Sequence, residues 1–573
     1  MRDHPDRIGT PPAADPAPPA SRPVPSPQRT ALLLDRDIVT ASALLIDGNA
    51  RSRNVLAAML MGFGVPTVVQ ASSAEAARRM LEYRRFDIVL CEYHFEGHAL
   101  NGQELLDDLR SAQLLPLSTV VVMISGETAY AKIAEVAEAA LDAYLIKPHS
   151  EQALRDRLVQ ARLRKRVLKD VIDRVDRGDY LDAARLCQAR FQARAPLWIE
   201  AARIGAELWL RLGQPKAAQA MFDGILQVRR MPWARLGIAR SEYASGSVLQ
   251  ARRTLESLLE DQPAYADAYD VMGRVLLDQG EPDKAVDALR RAVALTPGSV
   301  ARGVKFGLLA FYFGDAAEAR QALERAAAAG AHSKVFDLQG LVLLATLQYD
   351  AADLPAVTQS AKGMTLARAP HPGSARLRRF EAVTGIYRAL LERRVIDAAA
   401  AARHMFGELH APDFDFEAAC NALTMISRLH NHELRLGDIG HQTAVLARRF
   451  AVSRTTCDLL RAAAGQPHLQ QAIADAYAGI GAEAQRAVAH SVGGAPRDAV
   501  LALLAAAEAT LNGKLIDLAA QTLAKHAGRI EGAAALQARI DALNEGFRSY
   551  GAQARLNRAD DPRTLAAAAQ GAA

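Results

Sequence analysis

Aromatic residues make up only 5% of this 573-residue chain, although half of it is hydrophobic. Its cores must be built mostly from Ala and Leu, a composition suited to arrays of packed helices, and its length leaves room for three or four domains. No apolar run reaches the ~18 to 20 residues needed to cross a bilayer, so no membrane span is expected. The four cysteines, Cys91, Cys187, Cys420 and Cys457, lie far apart without paired spacing. That argues against a disulfide framework and for a reducing, cytoplasmic setting. Charge of neither sign dominates; a net charge of +5 is modest for this length and gives no independent argument for nucleic acid. No Gly-rich phosphate loop and no Ser-His-Asp arrangement can be read from the spacing, so an enzyme is not expected.

What is present divides the chain by composition. Residues 1–38 form a Pro- and Ala-rich leader expected to be disordered and not a signal peptide. Between residues 40 and 160, short apolar runs rich in β-branched residues alternate with helix-period segments, the βαβ signature of a doubly wound parallel sheet. The expected strands are Ala43–Ile46, Thr67–Val69, Ile88–Cys91, Val120–Ile124 and Ala143–Ile146. In such sheets ligands bind beyond the carboxyl ends of the strands, where this sequence places Asp47, Glu92, Ser125 and Lys147.

Those four positions, read as Ile46-Asp47-Gly48, Cys91-Glu92, Ile124-Ser125-Gly126 and Ile146-Lys147-Pro148, resemble the receiver domain of bacterial response regulators. The resemblance implies a flavodoxin-like fold, a phosphoacceptor position at Glu92, and a switch site formed by Asp47, Ser125, Tyr144 and Lys147. It also implies Mg²⁺ held by Asp47 and Glu92. Two departures bear on that chemistry. Gly48 stands where the family carries a second acidic residue, so metal binding should be weakened and the metal position empty. Glu92 is one methylene longer than Asp, which displaces its carboxylate from the position in-line phosphoryl transfer needs. The expectation is a site without a cofactor and not phosphorylated. Glu92 then either imitates the phosphorylated state with about one negative charge against roughly −1.5 to −2 for a phosphoryl group, or pairs structurally with Lys147. Cys91, His94 and His98 are residue types used by zinc sites, but Cys91 ends an apolar strand and a metal there is not expected.

From 161 to 370 the pattern changes to repeats. Gly178, Gly213, Gly246, Gly280 and Gly314 recur with a period of about 34 residues. The copy containing Tyr269, Gly273, Gly280, Ala285, Leu289, Ala292 and Pro297 resembles the tetratricopeptide repeat. The resemblance implies an all-α solenoid whose groove takes a protein partner. Residues 151–177 carry no Gly or Pro, so the last receiver helix could run straight into the first repeat for about 40 Å. Leu154, Leu158, Ala161, Leu168, Ile172 and Val175, broken only by Lys165, form a stripe that could pair two chains as a homodimer or pack on the repeats. The basic residues of this segment read as a solvated or interdomain face, and nucleic acid is not expected as its partner.

Residues 371–556 read as an Ala-rich helical array or a run of degenerate repeats, and 557–573 as a flexible tail. Leu446 to Leu460, with Val452-Ser453 after a turn and Arg454, Thr455 and Thr456 beyond it, resembles a helix-turn-helix. The reading that unites these features is a response regulator-like signalling adaptor whose receiver, with a sensor kinase or signalling protein as its expected contact, controls or supports protein interaction by the solenoid. The alternatives are a transcriptional regulator using residues 446–460 on DNA, and a receiver still phosphorylated in a phosphorelay.

Overall fold

The structure is a computed structural model. It describes residues 36–95, 102, 105–106, 109, 114–116, 118–126, 142–228, 230–297, 299–330, 336–429 and 438–548. The expectations for the leader, for His98 and for the tail lie outside the described residues.

The amino-terminal part is a five-stranded parallel sheet: β1 Ser42–Ile46, β2 Thr67–Ala71, β3 Ile88–Glu92, β4 Val120–Ser125 and β5 Ala143–Ile146, in the order β2-β1-β3-β4-β5. Helices α1 Ala50–Gly62, α2 Ala74–Tyr83 and α3 Glu151–Val167 flank it. β3 and β4 are buried along their whole lengths, which explains why their sequences read as continuous apolar runs. Alternate residues feed two cores. Leu45, Leu90, Val122 and Ile124 meet Leu56 and Leu60 of α1 and Leu154 and Leu158 of α3, whereas Leu44, Val89, Val121 and Met123 meet Ala77 and Leu81 of α2.

Beyond Leu168 the described elements are all helical. Seven helical hairpins follow: α4 Lys169–Asp176 with α5 Tyr180–Gln192, α6 Trp198–Arg211 with α7 Pro215–Leu226, α8 Pro232–Ala244 with α9 Val248–Asp261, and α10 Ala266–Asp278 with α11 Pro282–Leu295. Next come α12 Val300–Phe313 with α13 Ala316–Gly330, α14 Gln339–Asp350 with α15 Leu354–Arg368, and α16 Ala375–Leu391 with α17 Val395–Gly407. Then come α18 Phe416–Leu429, α19 Ile439–Phe450, α20 Arg454–Ala464 and the long α21 Pro467–Val492. The array ends in α22 Pro496–Thr510, α23 Gly513–His526 and α24 Ala533–Leu543, which with the end of α21 build a separate small core around Leu503, Leu504, Leu515 and Ile516.

One backbone device closes most of these hairpins. Gly178, Gly213, Gly246 and Gly280 adopt φ of +70° to +82°, and the next residue's N–H reaches the carbonyl five residues back, as in Asp179 to Arg174 and Glu281 to Leu276 at 2.9 Å each. This satisfies a helix-terminal carbonyl that would otherwise lack a partner. Ala352 and Arg393 take the same left-handed conformation with the same bond, Asp353 to Gln348 and Arg394 to Ala389. Gly314 differs: its φ is −120°, and Asp315 turns the chain instead, its Oδ1 accepting from the N–H groups of Ala317 and Glu318.

The single long helix expected over 151–177 is interrupted. Leu168, at φ −100° and ψ 14°, separates α3 from α4. The apolar stripe is used inside the chain: Leu154, Leu158 and Ala161 fill the sheet core, and Leu168 and Ile172 pack with Ala201 of α6. Lys165, the break in the stripe, pairs with Asp142 at 2.9 Å. The carbonyl of Asp142 accepts from Arg164. The stripe is therefore a packing surface and not a seam between two chains.

Candidate functional site

The order of the strands changes direction between β1 and β3, and the crevice of an open sheet lies there. Asp47 leaves the end of β1 and Glu92 ends β3, so two carboxylates meet at that crevice, both nearly buried. Ser125, fully buried, ends β4, and Lys147 follows β5, its backbone N–H donating to the Ser125 carbonyl at 2.8 Å. The register of β3 on β4 and of β4 on β5 fixes these positions without help from the loops.

The Lys147 ammonium lies on Glu92, donating to its Oε2, and stands 3.6 Å from Asp47 Oδ2. The other Glu92 oxygen accepts from the Tyr93 backbone N–H at 3.2 Å. Asp47 Oδ1 accepts from the Asn49 N–H at 2.7 Å, while its buried Oδ2 has no hydrogen-bond partner. Arg53 adds a second cation by donating to the carbonyls of Asp47 and Gly48 at 2.5 and 3.1 Å. Asn49 side-chain oxygen caps α1. Tyr144, half-buried, packs against the α2-side core.

This donor set fits Mg²⁺ poorly. The ion wants near-octahedral oxygen coordination at about 2.0–2.1 Å. Here Glu92 is engaged by Lys147, and Gly48 supplies no side-chain oxygen, with open space where its Cβ would stand.

Gly102 supports the site from behind and was not singled out by the sequence reading. A Cβ there would fall 2.1 Å from the Glu92 carbonyl oxygen, and its N–H donates to the Tyr93 carbonyl at 2.8 Å. Gly102→Ala is expected to destabilise the receiver by about 1–3 kcal/mol through overpacking against backbone, measured by urea unfolding. An unchanged midpoint would show that this chain can yield there. Cys91, fully buried, has its thiol pushed far up by burial, and no group of three or more His, Cys, Asp or Glu able to hold a metal exists among the described residues.

The helix-turn-helix-like segment is corrected by its burial. Val452-Ser453 does form a turn, and Ser453 with Thr456 makes a capping box at the start of α20. Thr455 and Thr456, the expected base readers, are buried. Thr455 Oγ1 donates to Asp278 Oδ1 of α10 at 2.8 Å, and Tyr243 of α8 donates to the other Asp278 oxygen. Arg454 lies over the Gly280 turn. Its partner helix α19 buries Arg449, whose guanidinium donates to the carbonyls of Leu409 and Ala411 at 2.6 and 2.9 Å. The surface a recognition helix would present to DNA is thus committed to the solenoid.

The same docking changes the expected groove. α18 lies across α12 and α14: Asn421 and Gln339 exchange two buried hydrogen bonds, and Arg428 forms a two-bond ion pair with Asp350 while stacking over Phe311. The inner side of the middle repeats is therefore part of a core that runs continuously from Leu236 to Ile473.

Comparison with known proteins accords with this geometry. Residues 43–159 match the response regulator receiver domain family and residues 236–300 the tetratricopeptide repeat family. The chemotaxis protein CheY of Pseudomonas aeruginosa is 25% identical over 115 residues, covering 20% of this chain and 90% of that protein. CheY-3 of Vibrio cholerae is 27% identical over 115 residues, covering 86% of that protein. Among solved structures, a thermophilic TPR protein of Thermus thermophilus is 22% identical over 32% of this chain and 95% of its own, with a TM-score of 0.25. A TPR repeat-containing protein of Cytophaga hutchinsonii is 11% identical over 41% of this chain and 93% of that one, with a TM-score of 0.32. The chain joins a response regulator receiver domain to tetratricopeptide repeats.

Proposed function

We propose that this protein is a signalling adaptor of the two-component type, in which a receiver with a fixed charge arrangement supports protein–protein interaction by the helical array. The observation that carries this reading is the Lys147 ammonium seated on the Glu92 carboxylate. In a switching receiver the cation after the last strand would answer an added phosphoryl group; here a resident side chain already engages it. The charge is smaller than a phosphoryl group's, so the arrangement supports a single state more than a strong imitation of the phosphorylated one. In this reading the receiver contacts a sensor kinase or another signalling protein as a binding module, carries no catalytic activity, needs no cofactor and holds Mg²⁺ weakly if at all. A cytoplasmic location is part of the proposal; among the described residues no helix is long and apolar enough to cross a membrane.

Incubation of the full chain with Mg²⁺ and acetyl phosphate tests it. Intact mass is expected to remain that of the unmodified protein. A stoichiometric gain of one phosphoryl group would sink the fixed-receiver reading and restore the phosphorelay alternative.

A further inference from the structure

The middle repeats are filled by α18 and α20. Among the described residues, no hydrogen bond or ion pair joins α6 or α8 to any residue beyond Asp278. The inner face that these two helices share can be identified from what crosses between them. Arg240 of α8 donates to Glu207 of α6 at 2.6 Å, and Arg203 of α6 stacks 5.2 Å from the ring centre of Trp233 at the start of α8. Arg211, one turn beyond Glu207, continues the same face. Arg203 and Arg211 are exposed, and neither makes an ion pair among the described residues.

Residue choice on this face is unusual for the chain. One of the chain's three tryptophans, Trp233, stands here half-buried beneath Arg203, whereas Trp209 is buried and Trp198 packs on Phe191 and Arg194 toward α5. Partly exposed Trp beside Arg is the composition of the residues that carry most binding energy at protein interfaces.

We propose that the face shared by α6 and α8 docks an acidic segment of a protein partner, with its carboxylates on Arg203 and Arg211 and an apolar side chain against Trp233. This rests on the adaptor reading and names the chemistry of its partner. Arg and Trp together also suit single-stranded nucleic acid. The ionised groups of this face decide between them: three arginines, Arg203, Arg211 and Arg240, stand with two carboxylates, Glu200 and Glu207. A phosphate chain needs an uninterrupted run of cations to release its counterions, whereas a peptide can place single carboxylates on the two free arginines and avoid the glutamates.

Fluorescence anisotropy with the full-length protein tests this, using a fluorescein-labelled Glu/Leu peptide, its Lys/Leu counterpart and a labelled oligothymidine. The acidic peptide is expected to bind at least about tenfold tighter than either probe, an energy difference of ~1.4 kcal/mol, and to weaken as salt is raised. The double variant R203A/R211A is expected to lose about tenfold or more. R253A, which removes an equally exposed and unpaired arginine on α9, should bind as the parent does. Far-UV circular dichroism confirms that the variants are folded. Equal binding of the lysine peptide, tighter binding of the oligothymidine, or an unchanged affinity in R203A/R211A each overturns the docking site. Because the intact-mass result does not depend on the peptide, such a failure beside an unphosphorylated receiver overturns this site and leaves the fixed-receiver reading in place.

Discussion

Replacing Gly48 and Glu92 together by Asp is expected to let the receiver accept a phosphoryl group, with a large fraction of the chain gaining one under conditions in which the parent is expected to gain none. The framework for that change is already present. Asp47, Ser125 and Lys147 are held by strand ends whose register is set by the sheet. A side chain at Gly48 meets nothing within 4 Å of its Cβ, and the residue is not among those with left-handed backbone, so Asp fits without strain. It would supply the carboxylate that Mg²⁺ lacks here. Glu92→Asp shortens the arm by one methylene and withdraws the carboxylate from Lys147, toward the position that in-line transfer requires. Intact mass after treatment with Mg²⁺ and acetyl phosphate reads the result, with E92D and G48D alone as intermediate cases. A double variant that stays unmodified would mean that something other than these two residues closes the site.

Removing the Arg449 side chain should produce the largest loss of structure. The guanidinium is almost wholly buried and has no carboxylate bonded to it among the described residues, and burial together with the nearby Arg379 lowers its pKa to about 10. Two effects therefore oppose each other in Arg449→Ala. Relief of a buried charge is favourable, but the buried Leu409 carbonyl that accepts from it loses its donor, at a cost of about 1–3 kcal/mol when left unpaired, while the Ala411 carbonyl keeps only the Phe414 N–H. The lost packing over Phe450 adds to the cost. Emptying the volume of so large a buried side chain adds to the unpaired carbonyl, and the balance is a destabilisation of about 3 kcal/mol. A chain of several cores need not unfold in one step, so amide hydrogen exchange in α17 and α19 is the suitable measure. Protection there should fall by about a hundredfold or more, given that 1.4 kcal/mol is a factor of ten; unchanged protection would show that the carbonyls find other donors.

How much of this was readable in the sequence varied with the range of the interaction. The five strands were visible because each is a short apolar run closed by a polar residue, and Asp47, Glu92, Ser125 and Lys147 stand where those runs stop. Repeat turns were visible where glycine marks them and invisible at Ala352 and Arg393, which adopt the same left-handed conformation without the residue that normally signals it. Gly314 gave the opposite error, a glycine in the expected position with a different backbone. The turn at Ser453 was also read correctly as local structure. Its docking was not, because the burial of Thr455 depends on Asp278, 177 residues away, and no periodicity within a helix reports such a partner. The same distance problem hid the filling of the groove, since Gln339 and Asn421 look like ordinary polar residues of two unrelated helices.

The contact between Thr455 and Asp278 bears on how the chain folds. Stacked repeats ordinarily behave as a one-dimensional series in which each unit answers only to its neighbours. Here the array is tied across its own interior, with a loop of 177 residues between the two partners. Closing a loop of that size adds an entropic cost that grows only slowly with length, but it makes the middle of the array non-local in contact order. The hairpins from α10 to α16 should then gain and lose structure as one cooperative block, whereas α4 to α7, which lie outside that closure, remain free to open repeat by repeat.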